Sequence, residues 1–192
     1  RPLIIGKPAS RTATIATVSD KSGRSGRLAF VGVDYKIEQD GQLCIEEHQD
    51  IVYREPGAPV PAPEAVELPP PPAGAWTQVI TPDPRLLFRF SALTFNAHRI
   101  HYDRDYARDI EGYPGLVVHG PLTAVLLMEL VRHRAAQPVR AFSFRGQAPL
   151  FDLAAFRLTG LPEGDGPKVA LEAQGPDGRV AMKATAELGE EG

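Results

Sequence analysis

Cysteine occurs once in the 192 residues, at Cys44, so no disulfide within the chain can staple this fold. Cys44 lies in a strand-like run and reads as a small, half-buried apolar side chain, which permits a reducing compartment and sets a cytoplasmic location as the expectation. Neither sign of charge dominates: 21 basic against 24 acidic residues leave a formal net charge of -3. The basic stripe that marks a nucleic-acid binder is therefore lacking, and no nucleic-acid partner is expected. No apolar run reaches the ~20 residues that a membrane helix needs. The longest, Leu116 to Val131, is interrupted by His119, Gly120, Pro121 and Glu129 and is expected to be a buried core helix. No charged stretch followed by an apolar one opens the chain, so no secretory signal is read, and the start on Arg1 instead of methionine predicts residues upstream. His98, His101 and Asp103 match no zinc spacing, so no metal is expected.

What is present reads as two units. From Arg1 to Tyr53, apolar residues alternate at Ala13, Ile15 and Thr17, and again at Ala29, Val31, Val33, Tyr35 and Ile37, as half-buried strands require. Asp20 to Gly26 is rich in Ser and Gly and reads as a hairpin loop. Asp40-Gly41 carries the residue types that tolerate positive φ in a tight turn. The stretch 55–75 is dense in proline and lacks periodicity, as a surface linker would. It separates an N-terminal unit, 1–54, from a second unit, 76–190.

The second unit opens with a strand at Thr77 to Ile80 and an irregular polar segment at Ser91 to Gly115. The apolar helix follows, with Pro121 suited to its first turn because the missing N–H is not needed there. Val139 to Ala148, Phe151 to Leu161, Val169 to Gln174 and Val180 to Leu188 read as strands, the last two joined by Pro176-Asp177-Gly178. The two units echo each other: Pro2-Leu3, strand, Gly-rich loop, strand, Asp-Gly turn and strand match Pro149-Leu150, strand, 163–167, strand, Asp177-Gly178 and strand. What the first unit lacks is the opening strand, the polar segment and the helix. It therefore reads as an incomplete repeat whose sheet would leave an apolar face uncovered.

Two strings carry the chemistry: FSALTFNAHRIHYD at Phe90 to Asp103 and YPGLVVHGPLTA at Tyr113 to Ala124. The first resembles the FSxxSGDxNPxHxD signature of (R)-specific enoyl-CoA hydratases and MaoC-like proteins. The second resembles the HG that opens the central helix in the same enzymes. The likeness extends over most of 76–188 and is closest to the branch holding mesaconyl-C4-CoA hydratases and 3-hydroxyacyl thioester dehydratases. The resemblance implies an α+β hot-dog fold, an antiparallel sheet wrapped around a helix, here as a double hot dog with its N-terminal repeat incomplete. It places the family's catalytic histidine on His101, its HxD aspartate on Asp103 and its oxyanion-hole amide on Gly120. The family's catalytic aspartate falls on Asn96, and its Gly and Pro fall on Phe95 and Arg99.

Hydration of a double bond beside a thioester needs a group that moves a proton, a means of holding water, and donors aimed at the carbonyl oxygen where charge develops. His101 titrates near neutrality, Asn96 can orient water but cannot take its proton, and Gly120 presents an N–H at a helix start. His119 is expected to hold the loop and border the substrate, with Val118 and Tyr113 in the wall. Arg99 is a candidate for a substrate carboxylate or a CoA phosphate, against the alternative of an exposed ion pair. The expected activity is hydro-lyase action on an enoyl-CoA, including a dicarboxylic one such as mesaconyl-C4-CoA, with no cofactor apart from the CoA of the substrate. A 3-hydroxyacyl-ACP dehydratase, a thioesterase and a thioester-binding module without turnover stand as alternatives. The partners implied are an acyl-CoA or acyl-carrier thioester and a second copy of the chain in a homodimer, with no membrane.

Overall fold

The structure, a computed structural model, describes residues 1–23, 26–55, 57–164 and 166–189. The chain divides into two units, Arg1–Gly57 and Ala58–Gly192. In the first, β1 (Ser10–Gly23), β2 (Gly26–Gln39) and β3 (Gln42–Arg54) form an antiparallel meander. Asp20 to Ser22 and Gly26 pair within the sheet, so the expected loop contracts to a tip whose residues, 24 and 25, lie outside the described residues. Asp40 and Gly41 both have positive φ, 51° and 70°, the conformation for which the Asp-Gly pair is suited. Gln39 is buried and ties down the N-terminal segment: its Nε2 donates to Ile4 O and its Oε1 accepts from Ile4 N. Among its described residues this unit contains no helix, and Ile15, Val18, Val52 and Tyr53 are exposed.

The second unit begins with the proline-rich segment, which is held by hydrogen bonds from Val60 N to Gly112 O, Val66 N to Pro176 O and Arg157 Nη1 to Pro69 O. Then come β4 (Trp76–Ile80), α1 (Pro84–Thr94), a 3-10 turn (Arg99–His101), a π-helical turn (Tyr106–Ile110) and α2 (Gly120–Arg132). The strands β5 (Val139–Gly146), β6 (Phe156–Pro162), β7 (Lys168–Gln174) and β8 (Val180–Leu188) complete an antiparallel sheet of order β4-β6-β7-β8-β5. Burial alternates along β6 and β7, which turns Phe156, Leu158, Val169 and Leu171 toward α2. Leu127, Leu130 and Val131 meet them from the helix. At Gly160 a Cβ would lie 3.1 Å from Leu171, 3.2 Å from Trp76 and 3.5 Å from Leu130, so glycine lets the helix settle on the sheet. Truncating a fully buried leucine such as Leu127 to alanine costs ~2–5 kcal/mol.

Three expectations change. The segment before Asn96 is helical, not irregular: Asp83 caps α1 by accepting from Leu86 N at 2.7 Å, and Pro84 fills the first turn. The strand expected from Phe151 starts at Phe156, because residues 151–154 turn and Phe151 makes only an isolated bridge to Val117. The strand from Val139 ends at Gly146, two residues early.

Candidate active site

The polar segment folds into a series of turns, each set by a backbone requirement. Helix α1 ends at Phe95, whose φ of 53° places it in the left-handed region, and Asn96 N closes the turn on Ser91 O at 2.9 Å. Glycine is the usual residue at such a cap, whereas Phe95 takes it with its ring almost wholly exposed. Asn96 then accepts from His98 N through Oδ1 at 3.0 Å, an Asx turn that leads into the 3-10 turn carrying His101. Asp103 closes the far side, accepting from Tyr106 N at 3.0 Å and from Arg99 Nη2 at 2.7 Å.

His101 is buried, and its Nδ1 lies 2.7 Å from Val117 O. A carbonyl oxygen can only accept, so Nδ1 carries the proton. In the neutral ring Nε2 is then a bare lone pair, and it has no hydrogen-bond partner among the described residues. The backbone reinforces the placement, since Val117 N donates to Ile100 O at 3.0 Å. Burial pushes the His101 pKa below its ordinary value, the Val117 hydrogen bond opposes this, and nearby His98 adds to the lowering. The neutral form, the one able to accept a proton, is therefore favoured near neutrality.

His119 is the residue preceding the first turn of α2 and is almost completely buried. Its ring stacks on that of His101 with centroids 3.6 Å apart and planes at 17°, and Phe90 packs edge-on at 4.8 Å. Its Nε2 is joined to Ser91 Oγ at 2.8 Å, while Nδ1 is buried without a protein partner among the described residues. Burial first, then the charges of His101 and His98, bring its pKa to about 4, so this imidazole stays neutral.

Beside this stack, Gly120 opens α2 and lines a cavity of about 340 Å³ together with Val117, Val118, Thr123, Gln147 and Met182. A methyl group added at Gly120 would meet no atom within 4 Å beyond its chain neighbours and the backbone of its own helix, so this stretch of helix start is open. Its N–H is one of those that α2 leaves without an intrahelical acceptor. The segment leading to it is fixed by Asp152, whose carboxylate is fully buried, accepts from Leu116 N at 2.9 Å and pairs with Arg104.

The sequence candidates thus separate. His101 and His119 share one stack; Val118 and Gly120 line the cavity; His101 and Asn96 are not among its lining residues, and the connection runs through Val117, whose carbonyl holds His101. Asn96 is half-buried and spends its carbonyl oxygen on the turn. Arg99 makes an exposed ion pair with Asp103, its Nε and Nη2 donating to Oδ2, and its guanidinium lies over the Tyr106 ring at 4.1 Å. Tyr113 packs against Phe151, ring centroids 6.1 Å apart, outside the cavity lining. Ser91 and the Val117 carbonyl were not anticipated. Ser91 stands in the quoted signature, but nothing local in the sequence announces a partner as remote as His119.

The model of the hydroxyacyl-thioester dehydratase type 2 family matches residues 1–152. The chain is 68% identical over 188 residues to mesaconyl-C(4)-CoA hydratase of Chloroflexus aurantiacus, covering 98% of this chain and 66% of that protein. It is 37% identical over 113 residues to the mitochondrial hydroxyacyl-thioester dehydratase type 2 of Schizosaccharomyces pombe, covering 57% of this chain and 37% of that one. The chain thus spans less than two thirds of the length of these curated relatives. Among solved structures, HtdX of Mycobacterium tuberculosis matches with a TM-score of 0.67 and 22% identity over 93% of this chain and 67% of that chain. The (R)-hydratase of A. caviae involved in PHA biosynthesis matches with a TM-score of 0.53 and 18% identity over 60% of this chain and 94% of that chain. The fold is the hot dog that these neighbours share.

Proposed function

Because the chain belongs to the hydroxyacyl-thioester dehydratase type 2 family, we propose that it is a hydro-lyase that adds water to an enoyl thioester, or removes it from a 3-hydroxyacyl thioester. The observation that carries this reading is His101: a buried, neutral imidazole with Nδ1 held by Val117 O, next to a cavity that the start of α2 helps to line. In the dehydration direction Nε2 takes the α-proton, electron density moves toward the thioester oxygen, and the Gly120 N–H stabilises that charge with the favourable end of the helix dipole. Asn96 has its Nδ2 left to hold the departing or attacking water. Val118 borders the acyl group, and His119 holds His101 in place. No cofactor is needed beyond the CoA of the substrate.

The substrate we favour is a CoA thioester, with mesaconyl-C4-CoA foremost given the 68% identity to a mesaconyl-C(4)-CoA hydratase. The location we favour is the cytoplasm; among the described residues no helix is long and apolar enough to cross a membrane. We expect two copies to associate as a homodimer. The experiment follows absorbance of the conjugated double bond with mesaconyl-C4-CoA, a panel of enoyl-CoAs and the matching carrier-protein thioesters. His101→Ala should lower kcat by ~10²–10⁴-fold with folding intact. Inactivity of the wild-type chain on the whole panel, or full activity of His101→Ala, overturns the proposal. A second reading, binding without turnover, is favoured by the amide at position 96; it predicts thioester binding without incorporation of labelled water.

A further inference from the structure

We propose that His98 is the second acid–base residue of this site, supplying the proton transfer that the amide at position 96 cannot perform. The inference rests on the hydro-lyase reading above and goes beyond it in assigning the partner of His101. Loss of water needs two proton transfers at adjacent atoms, one from the α-carbon and one to the departing oxygen, and a pair of groups divides them best.

The carboxylates of this part of the fold are already engaged. Asp103 accepts from Arg99 and from Tyr106 N. Asp152 is buried against Arg104 and Leu116 N. Glu111 accepts from the Tyr106 hydroxyl. Asn96 does not titrate, and its Oδ1 is occupied by the backbone N–H of His98 itself. His119 is sealed between Phe90, Ser91 and His101, without access to bulk solvent for proton exchange.

His98 differs from all of these. It is exposed, its ring has no hydrogen-bond partner among the described residues, and it stands edge-on to His101 with centroids 5.6 Å apart and planes at 86°. The Asx turn on Asn96 is what holds it there. Each imidazole nitrogen reaches a bonded atom at ~2.6–3.2 Å, so two rings at this separation can serve neighbouring atoms of one substrate. In dehydration His101 Nε2 takes the α-proton, the C–H electron pair becomes the second bond of the alkene, and the C–O bond breaks as protonated His98 gives its proton to the leaving oxygen. Water departs, His101 is left protonated and His98 neutral, and exchange with solvent through exposed His98 resets the pair. Hydration is the same sequence reversed, with His98 as the base that takes the proton of water.

The charged and titratable groups around His98 are His101, His119, the Arg99–Asp103 pair and Tyr102, whose hydroxyl donates to Ala97 O. The test uses the full chain with mesaconyl-C4-CoA and crotonyl-CoA for hydration and the corresponding 3-hydroxyacyl-CoAs for dehydration. His98→Asn should lower kcat by about 10²-fold with an unchanged circular dichroism spectrum, and should abolish the alkaline limb of the dehydration pH profile, where His98 must be protonated. Adding Asn96→Asp to His98→Asn should restore at least tenfold by returning a titrating group to the same turn. Wild-type kcat and pH profile in His98→Asn overturn the assignment while leaving the hydro-lyase reading intact. A loss with no change of profile and no rescue also overturns it, since that marks a structural role. A wild-type chain inactive on these thioesters removes both.

Discussion

The imidazoles of His101 and His119 lie face to face, centroids 3.6 Å apart and planes inclined by 17°. Two stacked, buried imidazoles repel each other once both are charged, so one must remain neutral while the other cycles its proton. Burial makes His119 the neutral one, with a pKa of about 4, and its hydrogen bond to Ser91 fixes the ring against which His101 rests.

Stability should therefore depend on pH through His119. The native state binds this proton more weakly than the unfolded chain, so the contribution is complete above pH 6.5 and is lost as pH falls toward about 4. A displacement of this size corresponds to roughly 3 kcal/mol at most. Urea unfolding at pH 7 and pH 4.5 should show the drop in the wild type and a smaller one in His119→Phe, which keeps a flat ring but cannot be protonated. Parallel losses in the two proteins would assign the pH dependence elsewhere.

Ser91→Ala should strand the Nε2 of His119 in a buried site at a cost of about 1–3 kcal/mol. With the stack loosened, kcat should fall more than KM rises. Thermal unfolding and steady-state kinetics on the same preparation read both effects, and an unchanged melting temperature would mean that the Ser91–His119 hydrogen bond contributes nothing.

Gly120→Ala separates folding from chemistry. The added methyl meets no atom within 4 Å beyond its chain neighbours and its own helix backbone, so stability should stay level or rise by ~1 kcal/mol. If the thioester approaches this N–H, kcat/KM should nevertheless fall by an order of magnitude or more, about what the loss of part of an oxyanion donor costs. Undiminished activity would move the oxyanion site away from Gly120.

Asp152→Ala should remove the buried carboxylate that holds Arg104 and Leu116 N, costing about 2–3 kcal/mol from a charge-assisted hydrogen bond and the donor left behind. The segment it pins runs directly into the Val117 carbonyl that holds His101. Asp152→Asn, which can still accept from Leu116 N, should recover part of the stability in a denaturant titration.

The linear pattern by itself determined the strands, the buried helix and the order of the parts. Alternation at Ala29, Val31, Val33, Tyr35 and Ile37 and the apolar run around Pro121 are local patterns, and local spacing is enough to read a strand and a helix from them. The resemblance of 90–103 and 113–124 to the hydratase strings singled out His101, Asn96 and Gly120 as candidates. Tertiary structure alone decided the rest. Helix α1 is short, 11 residues, so its clearest signal was a cap, Asp83-Pro84, instead of a long apolar period. That the Arg99 guanidinium pairs with Asp103 and lies over Tyr106 is likewise a matter of packing. That Ser91 meets His119, that His98 faces His101, and that Val117 fixes a tautomer follow from contacts between residues distant along the chain or across a turn, where a side chain's partner depends on packing and not on spacing.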